Sequence, residues 1–410
     1  MVAIGLGLSA PAGQARIEHV IHISVDGLRG DLLHGMLQEP GDRLPAFARL
    51  RREGAVTFNA RCDYGSSETI PNHTSMLTGL PLYAPAGAED YQQHGYLINF
   101  LVPDDTLHTN GLPVGYKSSV FDRIHDRGGR TMFLASKEKF RLFDLSYDAQ
   151  NGAPDTVGED NGSDKIDLTL IQNGDSSILT AVLLAQMGGE FPAYTFLHMF
   201  DPDFAGHLFG WGSLNWQFAV KHTDSLLGLI FSALDLRPWL KAKTALVVTA
   251  DHGGGEPFIN HIVPLHLINT IVPVMIWGRG IPAGADAYSL FSNRRDPGSE
   301  RPENDAARPP LRNGDTGNIA LALLGLPPIT ESFYRPEWAG DLVVTPHPEG
   351  RIECTWPLYW YGWTIESSAE LEESSWTSAA TEPAAAGHLW HYVEPAPARA
   401  SRFYRLRAPR

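Results

Sequence analysis

Three short apolar runs in this chain each end in an aspartate at a turn. Residues 19–26 read His19-Val20-Ile21-His22-Ile23-Ser24-Val25-Asp26, and Gly27 follows. Tyr194 to Phe200 runs into Asp201-Pro202-Asp203-Phe204-Ala205-Gly206-His207, and Thr244 to Ala250 runs into Asp251-His252-Gly253-Gly254-Gly255. Runs this short and this continuously apolar fit strands buried on both faces, as in a parallel sheet. Further strands are expected at Val56–Arg61, Arg130–Ala135 and Ile271–Trp277. Helices are expected near Pro45–Gly54 and over 116–128, 166–187, 214–235 and 315–326. This alternation predicts a doubly wound, mostly parallel α/β sheet with helices on both faces over residues 17–343. Open sheets of this kind bind ligands beyond the carboxyl ends of their strands. The terminal aspartates are therefore placed for chemistry, although an isolated Asp-Gly there could equally be a helix cap.

The chain changes character after Thr345. Residues 352–367 alternate aromatic and polar side chains, and Ser401 to Leu406 reads as a last strand, so 346–410 is expected to form a small all-β domain. Its Trp356, Trp360, Trp363 and Trp376 could face a ligand, but core packing explains them as well. Residues 1–15 are small and apolar and end Pro11-Ala12-Gly13-Gln14-Ala15, which resembles the remnant of a signal peptide and predicts a periplasmic or secreted protein. No apolar run is long enough to span a bilayer. The formal net charge of −15 argues against a nucleic-acid-binding surface or an anionic membrane as partner. An anionic substrate must then be attracted locally, for example by bound metal. Two cysteines, Cys62 and Cys354, are too few for a disulfide framework or a cysteine-rich zinc site.

The loop at Ser66 to Gly79 turns into a helix at Thr69-Ile70-Pro71-Asn72-His73. A hydroxyl at a helix start sits where orphan N–H groups favour negative charge, and so suits an alkoxide and the phosphate it attacks. A threonine hydroxyl needs a base or a metal to become a nucleophile. No catalytic triad pattern surrounds Thr69, but metal-ligand types collect at the strand ends. Asp-x-x-x-His puts Asp203 and His207 on one helical turn, and Asp251-His252 share a tight turn. With Asp26 and His261 there are enough ligands for two sites of mixed carboxylate and imidazole character, which suits Zn²⁺. One site would use Asp203, His207 and His261. The other would use Asp26, Asp251, His252 and the Thr69 oxygen. Asp201 and His266 compete with Asp203 and His261 for the same parts.

Taken together, Asp26-Gly27, Thr69-Ile70-Pro71-Asn72-His73, Asp203-x-x-x-His207, Asp251-His252-Gly253, Asn260-His261 and Val272-Pro273-Val274 resemble the alkaline phosphatase superfamily, and within it the type I phosphodiesterase / nucleotide pyrophosphatase family. The likeness covers about residues 17–340. It implies an alkaline-phosphatase-like fold, two zinc ions, a Thr69 nucleophile, a phospho-threonine intermediate and a small phosphate-ester substrate. It assigns Asn72 to a phosphate oxygen, prefers His261 because the family's histidine lies well upstream of the following Val-Pro strand, and selects Asp203 by the Pro-Asp-x-x-Gly-His spacing. Lys137 and Lys139, at the end of the Arg130–Ala135 strand, complicate the substrate class. Monoesterase and phosphonoacetate hydrolase relatives use a basic residue in a comparable loop to hold a second anionic group, which makes Lys137 a candidate substrate-binding residue and a phosphomonoesterase or phosphonate hydrolase the alternative. A sulfatase is disfavoured by the lack of a Cys-x-Pro-x-Arg or Ser-x-Pro-x-Arg signature. A non-catalytic exported binding protein would not need the full ligand set.

Overall fold

The computed structural model describes residues 16–41, 43–89, 92–157, 162–379, 381–386, 389–395 and 402–408. The leader-like residues 1–15 lie outside this range. An eight-stranded sheet organises the described residues up to about 340. Its strands are β1 (His19–Val25), β2 (Ala55–Arg61), β3 (Thr131–Ala135), β4 (Leu168–Ile171), β5 (Tyr194–Met199), β6 (Thr244–Thr249), β7 (Ile271–Trp277) and β8 (Ala285–Asp286). They lie in the order β4-β3-β5-β1-β6-β7-β2-β8. β1 pairs in parallel with β5 on one side and β6 on the other, and β7 runs antiparallel to both β6 and β2. The sheet is thus mostly parallel. β5, β6 and β7 are buried along their whole length, and β1 at every residue after His19, as their continuous apolar character requires.

The helices that matter here are α1 (Gly30–Gln38), α2 (Pro45–Glu53), α3 (Thr69–Thr78), α4 (Val120–His125), α5 (Ser176–Gln186), α6 (Asp201–Phe209), α7 (Leu214–Asp235) and α8 (Thr316–Leu323). α2 starts on Pro45, whose missing N–H costs nothing at a first helical position. It packs on α7, where the buried Asp224 carboxylate accepts the Phe47 N–H at 2.8 Å. α3 is buried throughout and ends at Gly79, which adopts the left-handed conformation of a helix C-cap.

Two elements differ from expectation. Residues 166–187 are not one helix: Leu168–Ile171 form the half-buried edge strand β4, and α5 starts only after a turn. The Asp175 side chain caps α5 by accepting from the Ser177 and Ile178 N–H groups. The apolar spacing of Leu168, Ile171, Ile178 and Leu179 spans that Asn173-Gly174 turn and imitates one helix. α1, directly after the Gly27 turn, was not expected at all.

Residues from Val343 onward build two small antiparallel sheets. One is formed by β9 (Val343–His347), β10 (Arg351–Pro357), β13 (Ala384–Ala386) and β14 (Leu389–Val393). The other is formed by β11 (Thr364–Ser368), β12 (Thr377–Ser378) and β15 (Phe403–Arg407). Cys354, Trp356, Ile365 and Tyr392 form the core between them. Tyr361 docks this part on the main body, its hydroxyl donating to the Arg279 carbonyl. Cys62 and Cys354 are both buried and unpaired, and burial raises the pKa of each to about 12. Among the described residues no helix is long and apolar enough to cross a membrane.

Candidate active site

The ends of β1, β5 and β6, three adjacent central strands, carry Asp26, the Asp203–His207 turn of α6, and Asp251-His252. Gly27 lets these ends meet. Its φ of +66° turns the chain sharply, and a Cβ there would fall 2.8 Å from the Asp203 Cα. Its N–H donates to Asp251 Oδ1 at 3.0 Å, and the Asp203 N–H donates to the Asp26 carbonyl at 3.0 Å.

The donors fall into two groups. Asp203, His207 and His261 form one, and Asp26, Asp251 and His252 the other; within each, one ligand atom per residue lies within 4.8 Å of the others. Each of the three imidazoles is held through Nδ1 by a backbone carbonyl: His207 by Ile259 at 2.9 Å, His252 by Gly253 at 2.8 Å, and His261 by Ser67 at 2.6 Å. Those bonds place the proton on Nδ1 and leave the Nε2 lone pair turned inward. Asp203 Oδ1 lies 3.4 Å from His207 Nε2 and 3.6 Å from His261 Nε2. His252 Nε2 lies 3.4 Å from Asp26 Oδ1 and 3.2 Å from Asp251 Oδ2. His207 Nε2 and His261 Nε2 face each other at 3.1 Å.

This arrangement fits divalent cations. Asp26 Oδ1, Asp203 Oδ1, Asp251 Oδ2 and His252 Nε2 are buried without a hydrogen-bond partner among the described residues. Unsatisfied buried acceptors are costly, and here they converge with proton-free nitrogens. Histidine ligands whose other ring N–H is held by a backbone carbonyl are the usual outer design of a metal site. The charges agree. Burial and the Asp26 and Asp203 anions push the Asp251 carboxyl well above its usual range. Burial, and then His252, lowers His261 to about 3, which keeps it neutral. For Asp26 burial acts in the opposite direction, but Lys137 and His198 outweigh it and hold the carboxylate ionised.

Thr69 is buried at the first position of α3. Its neighbours in the chain touch both groups. Ser67, two residues before it, takes the His261 Nδ1–H, and His73, one turn after it, bonds the Thr69 carbonyl at 2.7 Å and comes within 3.7 Å of Asp251 Oδ2. His261, not the exposed His266, converges on the site. Asp201 instead accepts from Ser176 Oγ at 2.5 Å.

Asn72 plays a different part from the expected one. Its oxygen accepts from the Asp63 N–H (2.8 Å) and from Asn313 Nδ2 (3.1 Å), and its nitrogen donates to the carbonyls of Ser66 (3.1 Å) and Glu68 (2.9 Å). All four hydrogen-bonding positions of the amide are used, so it braces the loop and leaves no donor for a phosphate oxygen. The amide beside Thr69 with a donor to spare belongs to Asn99. Asn99 Oδ1 accepts from the Ile70 N–H at 3.0 Å, and its Nδ2 donates only to Glu68 Oε1, at 3.2 Å, among the described residues. Lys137 also differs in detail. Its ammonium lies 2.6 Å from Asp26 Oδ2 and 2.6 Å from Asp203 Oδ2, one carboxylate from each group. Burial works against its charge, but Asp203, Asp26 and Asp251 outweigh that and raise its pKa.

Two supporting residues were not anticipated. His198, on β5, is bonded through Nε2 to Asp26 Oδ2 at 2.9 Å and through Nδ1 to Ser136 Oγ at 2.9 Å. An imidazole inside a largely apolar, fully buried strand was the signal available for it. Trp211 donates its indole N–H to the Gly27 carbonyl at 2.9 Å and lies edge-on to His207 and His261. Its ring occupies the space a Cβ would fill at Gly206 and Gly254.

Residues 20–82 and 138–296 match the family model described as type I phosphodiesterase / nucleotide pyrophosphatase. The chain is 26% identical over 256 residues to ectonucleotide pyrophosphatase/phosphodiesterase family member 1 of Rattus norvegicus, covering 60% of this chain and 25% of that protein. It is 25% identical over 239 residues to the Homo sapiens protein of the same name, covering 56% and 23%. It therefore spans about a quarter of the length of the relatives it matches. Among solved structures, a protein of the alkaline phosphatase superfamily from Vibrio parahaemolyticus aligns with a TM-score of 0.49 at 13% identity, covering 91% of this chain and 85% of that one. Murine ectonucleotide pyrophosphatase / phosphodiesterase 5, in an inactive form in complex with AMP, aligns with a TM-score of 0.43 at 14% identity, covering 75% and 95%.

Proposed function

Because the chain belongs to the type I phosphodiesterase / nucleotide pyrophosphatase family, we propose that it is a two-zinc phosphoric ester hydrolase. It cleaves phosphodiester or pyrophosphate bonds of nucleotide-like substrates through a phospho-threonine intermediate. Asp203, His207 and His261 would hold one zinc, and Asp26, Asp251, His252 and the Thr69 oxygen the other. The observation that carries this reading is the convergence of three imidazole Nε2 lone pairs with three partly unsatisfied carboxylates, one of those imidazoles being held by the loop that leads into Thr69. When bound, the ions would supply Lewis acidity, favouring the alkoxide over the hydroxyl and neutralising charge on the reacting phosphoryl group.

The residues supply the rest. Thr69 Oγ1 forms a bond to phosphorus as the ester oxygen departs, and water later returns the phosphoryl group to solution. The positive end of α3 favours both the Thr69 oxyanion and the incoming phosphoryl oxygens. Asn99, rather than Asn72, presents an amide donor to a phosphoryl oxygen. His198 and the Gly27 N–H hold Asp26 and Asp251 in place. The residues that resemble a leader support export to the periplasm or the cell exterior, and the residues from 346 on act as an accessory domain.

Lys137 supports a second reading, a phosphomonoesterase or phosphonate hydrolase. An ammonium between Asp26 and Asp203 adds a positive charge that a dianionic guest would use. Rates on a p-nitrophenyl phosphodiester and the corresponding monoester separate the two: faster diester cleavage supports the first, faster monoester cleavage the second. For both, metal analysis should give about two zinc per chain. Thr69→Ala should abolish turnover while zinc stays bound, and retained turnover would remove Thr69 from the mechanism.

A further inference from the structure

We propose that Lys139 is a positioning residue that acts through Asn99, fixing which face of that amide points at the reacting phosphoryl group. The inference rests on the reading of Thr69 as nucleophile. A side-chain amide has two nearly isosteric orientations, and its neighbours decide which one it keeps. Asn99 has two donors on one side: the Ile70 N–H at 3.0 Å and the Lys139 ammonium at 2.9 Å. Neither can accept a hydrogen bond, so the atom facing them must be the oxygen. The NH₂ group is then forced to the other side. There one N–H donates to Glu68 Oε1, on the residue preceding Thr69, and the other has no partner among the described residues.

The local fold explains why Lys139 performs this task and Lys137 does not. Both follow β3, in Ser136-Lys137-Glu138-Lys139-Phe140, and residues 138–140 make a single 3₁₀ turn. Phe140 is buried against the rings of His198 and His73, at 4.1 and 4.7 Å, and pins that turn. Lys137 is thereby directed to Asp26 and Asp203. Among the described residues Lys139 is directed to Asn99 alone, bonding its side-chain oxygen and lying 3.5 Å from its carbonyl. Lys139 is half-buried and meets no carboxylate within ion-pair distance among the described residues. A cation held on a neutral amide oxygen locks that amide more firmly than a neutral donor would.

The test is a double-mutant cycle on the full chain with a p-nitrophenyl phosphodiester, comparing wild type, Lys139→Met, Lys139→Arg, Asn99→Ala and the Asn99→Ala/Lys139→Met pair. Lys139→Met should lower kcat about tenfold with KM little changed, since a free amide spends part of its time with the wrong face inward, and Asn99→Ala should lower kcat about a hundredfold, as for loss of an oxyanion donor. The double variant should match Asn99→Ala, and Lys139→Arg should restore most of kcat. Thermal melts and zinc content of each variant separate a local effect from misfolding. Unchanged kcat in Lys139→Met, or losses that multiply in the pair, would overturn the inference, the latter by showing that Lys139 acts on substrate directly. Thr69→Ala is run alongside: if it keeps turnover, the nucleophile reading has failed, whatever Lys139 does.

Discussion

A steric demand that joins two ligand segments of the site falls on Gly27, and Gly27→Ala puts it to a measurement. The residue sits at φ +66°, where an L side chain costs about 1–2 kcal/mol. Its new Cβ would also meet Asp203 Cα at 2.8 Å, Cβ at 2.9 Å and N at 3.0 Å. Two of these are backbone atoms at the start of a helix, so no flexible side chain can swing away. Overpacking of this kind costs about 1–3 kcal/mol more. The sum, about 2–5 kcal/mol, is a large share of the 5–15 kcal/mol that typically stabilises a domain. The relief available is to push the α6 start away from the β1 end. That lengthens the Asp203 N–H to Asp26 carbonyl bond and separates carboxylates that belong to different metal groups. A misplacement of about 1 Å can cost about a hundredfold in rate. Urea unfolding should show a lower midpoint at unchanged slope, and kcat should fall beyond the stability loss. Gly35→Ala is the matched control. Gly35 is exposed on α1 with nothing within 4 Å of its ideal Cβ, and the change should be neutral or stabilising by about 0.5–1 kcal/mol. A Gly27→Ala protein with the wild-type midpoint and wild-type kcat would refute the argument that this turn sets the spacing of the site.

Two further outcomes follow from the same geometry. Burial raises the Asp224 carboxyl to about 6, with the Phe47 and Ala46 N–H groups offsetting part of the effect. The folded chain then holds this proton where the unfolded chain has lost it, so the group's contribution to stability falls as pH rises from about 4 to about 6; across pH 5 to 7 the loss is about 1 kcal/mol. Asp224→Asn, which keeps an acceptor for the Phe47 N–H, should remove that fall in urea titrations at the two pH values, and an identical pH dependence in both proteins would contradict the assignment. Trp211→Phe keeps most of the ring but deletes the bond to the Gly27 carbonyl; chelator competition should show zinc lost from the His207–His261 group about tenfold more readily, and unchanged retention would show that the indole N–H does not support these ligands.

Much of the fold was legible because its signal is one-dimensional. β1, β5, β6 and β7 are continuous apolar runs, and their burial matches that composition. β4 was hidden because it is a half-buried edge strand whose apolar spacing continues into α5. α1 was hidden behind the Gly27 turn. The candidate ligands could be read from residue type and strand position. Asn72 and Asn99 could not be told apart in this way. Which amide has a free donor depends on Asn313 and Lys139, remote in sequence from the loops they brace. Likewise the contacts of Lys137 depend on how a three-residue turn is pinned by Phe140.

The strand order itself explains why two ligand groups form where they do. Neighbouring strands lie about 4.8 Å apart, and β1 lies between β5 and β6 in parallel register, with Val25 opposite Met199 and Ser24 opposite Thr249. Chain ends leaving three such strands at the same level place Asp26 about one strand spacing from the ends of β5 and β6, between the turns that carry Asp203 and Asp251. That spacing is close to the 3.5–4 Å separation of paired catalytic metals. The three carboxylates would repel one another there, and burial together with that repulsion raises the Asp251 carboxyl above its usual range. The fold therefore creates both the geometry and the electrostatic need for cations between these strands. The histidines complete it from segments that can reach across: His207 from α6, His252 from the β6 turn, and His261 from the loop that clips onto Ser67. That last clip ties one group to the loop carrying Thr69, so the hydroxyl and the ligands are held in one frame.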